Sequence, residues 1–101
     1  MKVIDVLIKA RDRIDKPWKW ISYWSVSDDG RRFGADGVIR RATDDDELRQ
    51  EAIQVLAEFS GINPMWDALD RVVNVDKHRA VMAMFDKAIR SLSGDDNKNG
   101  E

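Results

Sequence analysis

The chain has 101 residues, 43% hydrophobic and 36% charged, the balance of one folded domain with a heavily charged exterior rather than of a disordered chain. It contains no cysteine, which excludes a disulfide framework and a thiolate nucleophile and fits a reducing, cytoplasmic compartment. No apolar run approaches the roughly 18 residues of a membrane span, and the N-terminus, MKVIDVLIKARDR, lacks the continuous apolar core of a secretion signal.

The formal net charge of -2 conceals a division: residues 1–41 hold ten Lys/Arg against six Asp/Glu, and residues 42–101 hold seven against thirteen. Such halves either attract each other across the fold or offer oppositely charged faces to partners.

The first predicted element is a helix over residues 2–15. Val3, Leu7, Ala10 and Ile14 recur at helical spacing, widened by Ile4 and Ile8, while Lys9, Arg11, Asp12 and Arg13 fall on the other side. Pro17 blocks its continuation and turns Lys16 away from helical geometry. In the next stretch, WKWISYWSVS, Trp20, Ser22, Trp24 and Val26 alternate with Ile21, Tyr23 and Ser25. Asp29-Gly30 offers a two-residue reversal, so a small β-hairpin returning through Arg31, Arg32 and Phe33 is expected, its apolar side covered by helices through Trp20 and Trp24. Asp28 and Asp29 read as turn formers. Gly34 and Gly37 are expected to loosen the chain, and residues 37–43 read equally as a third short strand or as the start of a helix.

The second long helix is expected to be capped by Thr43, accepting from the Asp46 N–H, with Asp44, Asp45, Asp46 and Glu47 gathered at the positive end of its dipole. Leu48, Ala52, Val55, Leu56 and Phe59 make its apolar stripe and Gly61 stops it. Asn63-Pro64 then opens a short helix that turns Met65, Leu69, Val72 and Val73 inward, with Trp66 at its edge. The last helix, over residues 74–92, is capped by Asn74 or Asp76 and stopped by Gly94; its stripe of Val81, Phe85, Ala88, Ile89 and Leu92 is the clearest in the chain, and the rest is expected to be organised around it. The expected fold class is mainly α (α+β): three principal helices plus one short helix packed with a small β-hairpin. Residues 1–93 form one compact domain, followed by a disordered tail over 94–101 without an apolar residue.

Few residues carry legible chemistry. His78, the one histidine, stands at the start of the last helix near its stripe; a packed ring with a hydrogen bond to a loop is expected there, because a base needs a positioned nucleophile or substrate beside it. Asp86 stands four residues before Arg90 and seven after Arg79, which reads as a surface ion pair at helical spacing. One histidine cannot build the common multi-histidine zinc site, and Asp44, Asp45 and Asp46 point about 100 degrees apart on a helix, so no metal and no cofactor is expected. The glycines of DDGRRFGADG lack a phosphate-binding spacing. Arg31, Arg32, Arg40 and Arg41, near Trp18, Trp20, Tyr23 and Trp24, combine the basic and aromatic residues of a single-stranded nucleic acid groove, against which a pI of about 5.4 weighs.

Leu7, Ala10 and Ile14 in an LxxAxxxI helix, Trp20 before an Asp29-Gly30-Arg31 turn, and Asn74, His78, Val81, Phe85, Asp86, Ala88 and Ile89 near the end together resemble a family of small uncharacterised bacterial and phage proteins. The likeness covers about half of the chain by these motifs. It departs in the middle, where GVIRRAT stands at residues 37–43 in place of a Trp-Cys-Ala-Leu-Gly type segment. The resemblance implies a shared architecture and a mobile-element origin and brings no catalytic residue with it.

Three functions follow as expectations. The first is a non-enzymatic protein-binding regulator or inhibitor of phage or prophage origin, anchored by Trp18, Trp24 or Trp66, whose partner is another protein or a second copy met through Met65, Met82 and Met84. The second is nucleic acid association through Arg31, Arg32, Arg40 and Arg41. The third is a small enzyme using His78 with Asp86 or Asn74, which requires an open cleft at the imidazole. The first is the reading adopted from sequence, with no enzymatic role, no membrane and no nucleic acid as principal partner.

Overall fold

The computed structural model describes residues 1–94. Five α-helices follow one another, α1 (Val3–Arg13), α2 (Ala35–Ala42), α3 (Asp46–Ala57), α4 (Ala68–Val73) and α5 (His78–Ser93), with one 3-10 turn at Pro17–Lys19. The expected disordered tail falls, beyond Gly94, outside the described residues.

Helix α1 begins where the Asp5 carboxylate accepts from the Lys2 N–H at 3.0 Å and closes on Ile14, whose N–H donates to the Arg11 carbonyl. Val6, Leu7, Ala10 and Ile14 are fully buried, and α1 packs against α2, α3 and α5 together. The last helix is therefore not the centre of the assembly: α1 packs against three helices and α3 against all four others. Helix α5 supplies the opposing face through Val81, Met84, Phe85 and Ala88, and each large apolar side chain so buried contributes about 1.5–3 kcal/mol. Gly94, with φ at +77°, ends α5 as expected.

The β-hairpin does not form. Among the described residues there are only two isolated bridges, and Phe33 makes both, parallel to Trp20 and antiparallel to Val26. Its N–H donates to the Lys19 carbonyl at 2.9 Å and its carbonyl accepts from the Ile21 N–H at 3.2 Å. Residues 21–25 must double back to bring Val26 to the same Phe33, and they bend at Tyr23, where φ is +66°. A period-two pattern presumes one straight strand with one buried face. Here Trp20 packs half-buried against the core while Trp24 and Val26, nominally beside it, are exposed. The reversal itself exists, closed by the Gly30 N–H donating to the Ser27 carbonyl and the Ser27 N–H donating to the Arg32 carbonyl, and side chains add to it: Ser27 Oγ donates to Asp29 Oδ1 at 2.5 Å, and the same oxygen accepts from the Arg31 N–H.

The two glycines after this loop are sites of close approach. The Ser25 carbonyl accepts from the Gly34 N–H at 3.0 Å. A Cβ would stand 1.9 Å from the Trp24 carbonyl oxygen at Gly34, and 1.8 Å from that of Ser25 at Gly37. Their missing side chains let the strap of residues 24–26 lie on the first turn of α2, and residues 37–42 are helical, with Thr43 extended at their end, where the sequence left strand or helix open.

Three helix starts differ from the expectation. Asp45 caps α3, accepting from the N–H groups of Glu47 and Leu48, because the Thr43 hydroxyl is taken by the Asp45 N–H at 3.1 Å. Helix α4 starts at Ala68 because Asn63 closes a separate turn: its side chain accepts from Met65 N–H and its carbonyl from Trp66 N–H, leaving Met65 87% exposed rather than inward. Neither Asn74 nor Asp76 caps α5, which starts after Lys77. The Asn74 side chain instead donates to the Asp70 carbonyl at the end of α4, and Asp76 accepts from the Tyr23 hydroxyl.

Candidate functional site

Helices α2 and α3 are joined by the short segment 43–45, and α4 packs against both. The side that α1 does not fill is a cleft of about 610 Å³, within the roughly 300–1,000 Å³ of ligand sites. One wall is α2, through Asp36, Ile39 and Arg40; the other is α3, through Asp46, Arg49, Gln50, Ile53 and Gln54. Spacings of three and four residues place each set on one side of its helix. Asp67, Ala68 and Leu69 close the end. A second hollow of about 540 Å³ shares Gln50 and Gln54 and adds Glu47, Glu51 and Val55.

The polar groups in the cleft are unequally engaged. Arg49 is paired with Asp46 across one helical turn and donates to the Thr43 carbonyl at 3.4 Å. Asp36 is only 6% exposed; its Oδ2 accepts from Ser25 Oγ at 2.5 Å, while Oδ1 is buried without a partner. The side chains of Arg40 and Asp67 enter no hydrogen bond or ion pair among the described residues. Beside these groups lies an apolar lip. Leu69 is 44% exposed, Trp66 is 46% exposed and Met65 stands almost free in solvent, with the Trp66 carbonyl fixed by Arg71 Nε at 3.0 Å.

The residues singled out in the sequence scatter around this cleft. Trp66 directly precedes the lining residue Asp67 in the chain without lining the cleft itself; Trp18 and Trp24, 70% and 66% exposed, belong to the 17–25 stretch and do not line it either. Of the four arginines only Arg40 lines the cleft. Arg41 lies with its guanidinium 5.0 Å from the Phe33 ring centre, and Arg31 and Arg32 are exposed on the Ser27 turn. The cleft's Arg49, Gln50, Gln54 and Asp67 were not singled out. The legible hint was the polar i, i+4 pair Gln50 and Gln54 opposite the stripe of Leu48, Ala52 and Leu56.

His78 lines neither hollow. Its Nε2–H donates to the Ile14 carbonyl at 2.7 Å, and its ring lies 5.8 Å from that of Trp20, so it closes the end of α1 against the Trp20 loop. Phe85 is fully buried. Asp86 pairs with Arg11 of α1 at 3.1 Å, not with Arg79 or Arg90 at helical spacing, because α5 lies along α1 and presents Asp86 to it. That pair joins the basic first half to the acidic second, whereas Arg11–Asp12, Lys19–Asp15 and Arg49–Asp46 are local.

Among the described residues no three His, Cys, Asp or Glu side chains come together to hold a metal ion, and no helix is long and apolar enough to cross a membrane. Compared with known protein families, curated proteins and solved structures, the chain matches none of them.

Proposed function

We propose that the protein is a non-enzymatic binding module, a regulator or inhibitor that seats a segment of a partner protein in the α2–α3–α4 cleft against Trp66. One observation carries this reading: an open cleft with unengaged Arg40, Asp67, Gln50 and Gln54 is lined at its end by the exposed Leu69, and the exposed Met65 and Trp66 directly precede its lining residue Asp67 in the chain. Large apolar groups beside unsatisfied polar ones are the usual composition of a binding surface. Trp18 and Trp24 are more exposed than Trp66 but lie off the cleft, and they serve as controls.

The test compares immobilised wild-type chain with Leu69→Glu, which places a charge on the lip at an exposed position, and with Trp18→Ala. A protein retained from lysate by wild type and by Trp18→Ala but lost with Leu69→Glu supports the reading; one retained by all three, or lost only with Trp18→Ala, refutes it. Oligonucleotide binding that weakens steeply with salt and vanishes in an Arg31→Ala, Arg32→Ala double variant would favour the nucleic acid alternative instead.

A further inference from the structure

We infer that the segment this cleft recognises is a short extended peptide bearing a lysine or arginine; the inference rests on the proposed function and gives the partner its chemistry. Length comes from α3. Asp46 to Gln54 is eight steps, about 12 Å along a helix, which an extended chain covers in about four residues.

Charge comes from the walls. The cleft and the adjoining hollow together present five carboxylates, Asp36, Asp46, Asp67, Glu47 and Glu51, against two guanidinium groups, Arg40 and Arg49. Arg49 is already held by Asp46 and the Thr43 carbonyl. Asp67 has no cationic partner, and in the α2 wall the largely buried Asp36 keeps an oxygen unpaired. A field of this sign inside a concavity draws in a cation and repels an acidic or phosphate-bearing chain.

Backbone recognition comes from the remaining groups. Gln50 and Gln54, one helical turn apart, each offer a donor and an acceptor, the pair that a peptide unit satisfies. Arg40, facing them from α2, donates to a peptide carbonyl. Leu69, at the end of the cleft, then covers an aliphatic neighbour of the basic residue. Each contact is weak alone, and a peptide of this length that makes them together binds in the micromolar to millimolar range, roughly.

The experiment passes a positional library of blocked hexapeptides over the immobilised full chain and identifies the retained pool, with Asp67→Asn and Leu69→Glu run in parallel. Enrichment of Lys or Arg at one position, reduced about fivefold by Asp67→Asn, supports the inference. Asn at the exposed position 67 keeps the shape, and circular dichroism verifies that both variants are folded. A pool enriched in Asp or Glu, a pool with no charge preference, or no retained pool overturns it. Peptides retained without a charge preference and lost with Leu69→Glu would remove the cationic specificity while leaving the binding face in place. Retention of Lys/Arg peptides that Leu69→Glu leaves unchanged would separate them from this cleft and overturn both.

Discussion

At Gly37 a single methyl group decides whether the 24–26 strap can lie on α2. The Cβ of Gly37→Ala would meet the Ser25 carbonyl oxygen at 1.8 Å, and backbone cannot rotate away as a side chain does. The strap must lift, and the expected loss is about 1–3 kcal/mol in chemical denaturation; a loss under about 0.5 kcal/mol would mean that the strap does not rest there. His78→Phe keeps an aromatic ring beside Trp20 but leaves the Ile14 carbonyl without its donor, so a loss of about 1–2 kcal/mol is expected by the same measurement. At Asp29 the Ser27 hydroxyl, aided by the Arg31 N–H, holds the carboxyl below its ordinary value of 3.8. A group whose folded value is depressed stabilises above its unfolded value and loses that contribution as pH falls through the folded one. The stability difference between wild type and Asp29→Asn is therefore expected to be constant from neutral pH to about 5 and to shrink below about 4. A difference that grew on acidification would contradict the hydrogen bond.

Between elements, the contact of α1 with α5 is apolar first and ionic second. Val6, Leu7, Val81 and Phe85 are sealed from water, whereas Arg11 and Asp86 are 30% and 49% exposed in their side chains. A double-mutant cycle on that pair is expected to give a coupling of about 0.2–1 kcal/mol that declines with added salt; a larger, salt-insensitive value would make the pair a structural determinant. The helical stripes were legible because burial of one face writes a period of 3.6 into the sequence, as Leu7, Ala52, Phe85 and their neighbours do. The Trp20 loop was not legible for a physical reason: the alternation test sees side chains along one strand and cannot see Phe33 bonding to two segments at once. Gly34 and Gly37 misled in the same way, since a glycine that permits close packing is spelled like one that permits a bend. Asn63-Pro64 looked like the first turn of α4, but the Asn63 side chain closed its own turn and left Met65 outside.

Among the described residues, five helices complete one core and leave one side of α2, α3 and α4 uncovered. From the sequence, Trp66 was named as a candidate contact and Arg40 as part of a basic set; the structure puts Arg40 in the cleft wall and leaves Trp66 exposed just before the lining residue Asp67, while sending Arg41 to Phe33 and Trp18 elsewhere. What brings Asp36, Gln54 and Asp67 together is the packing of three helices, which no spacing along the chain encodes. The division of charge is likewise used in part internally, through Arg11 and Asp86, while Asp67 at the cleft has no cationic partner among the described residues. The most direct test of that division of labour is hydrogen exchange on the chain alone and with the protein it retains. Slowed exchange through residues 46–54 and 66–70, with residues 18–33 unchanged, is the expected result; slowing confined to 18–33 would contradict it.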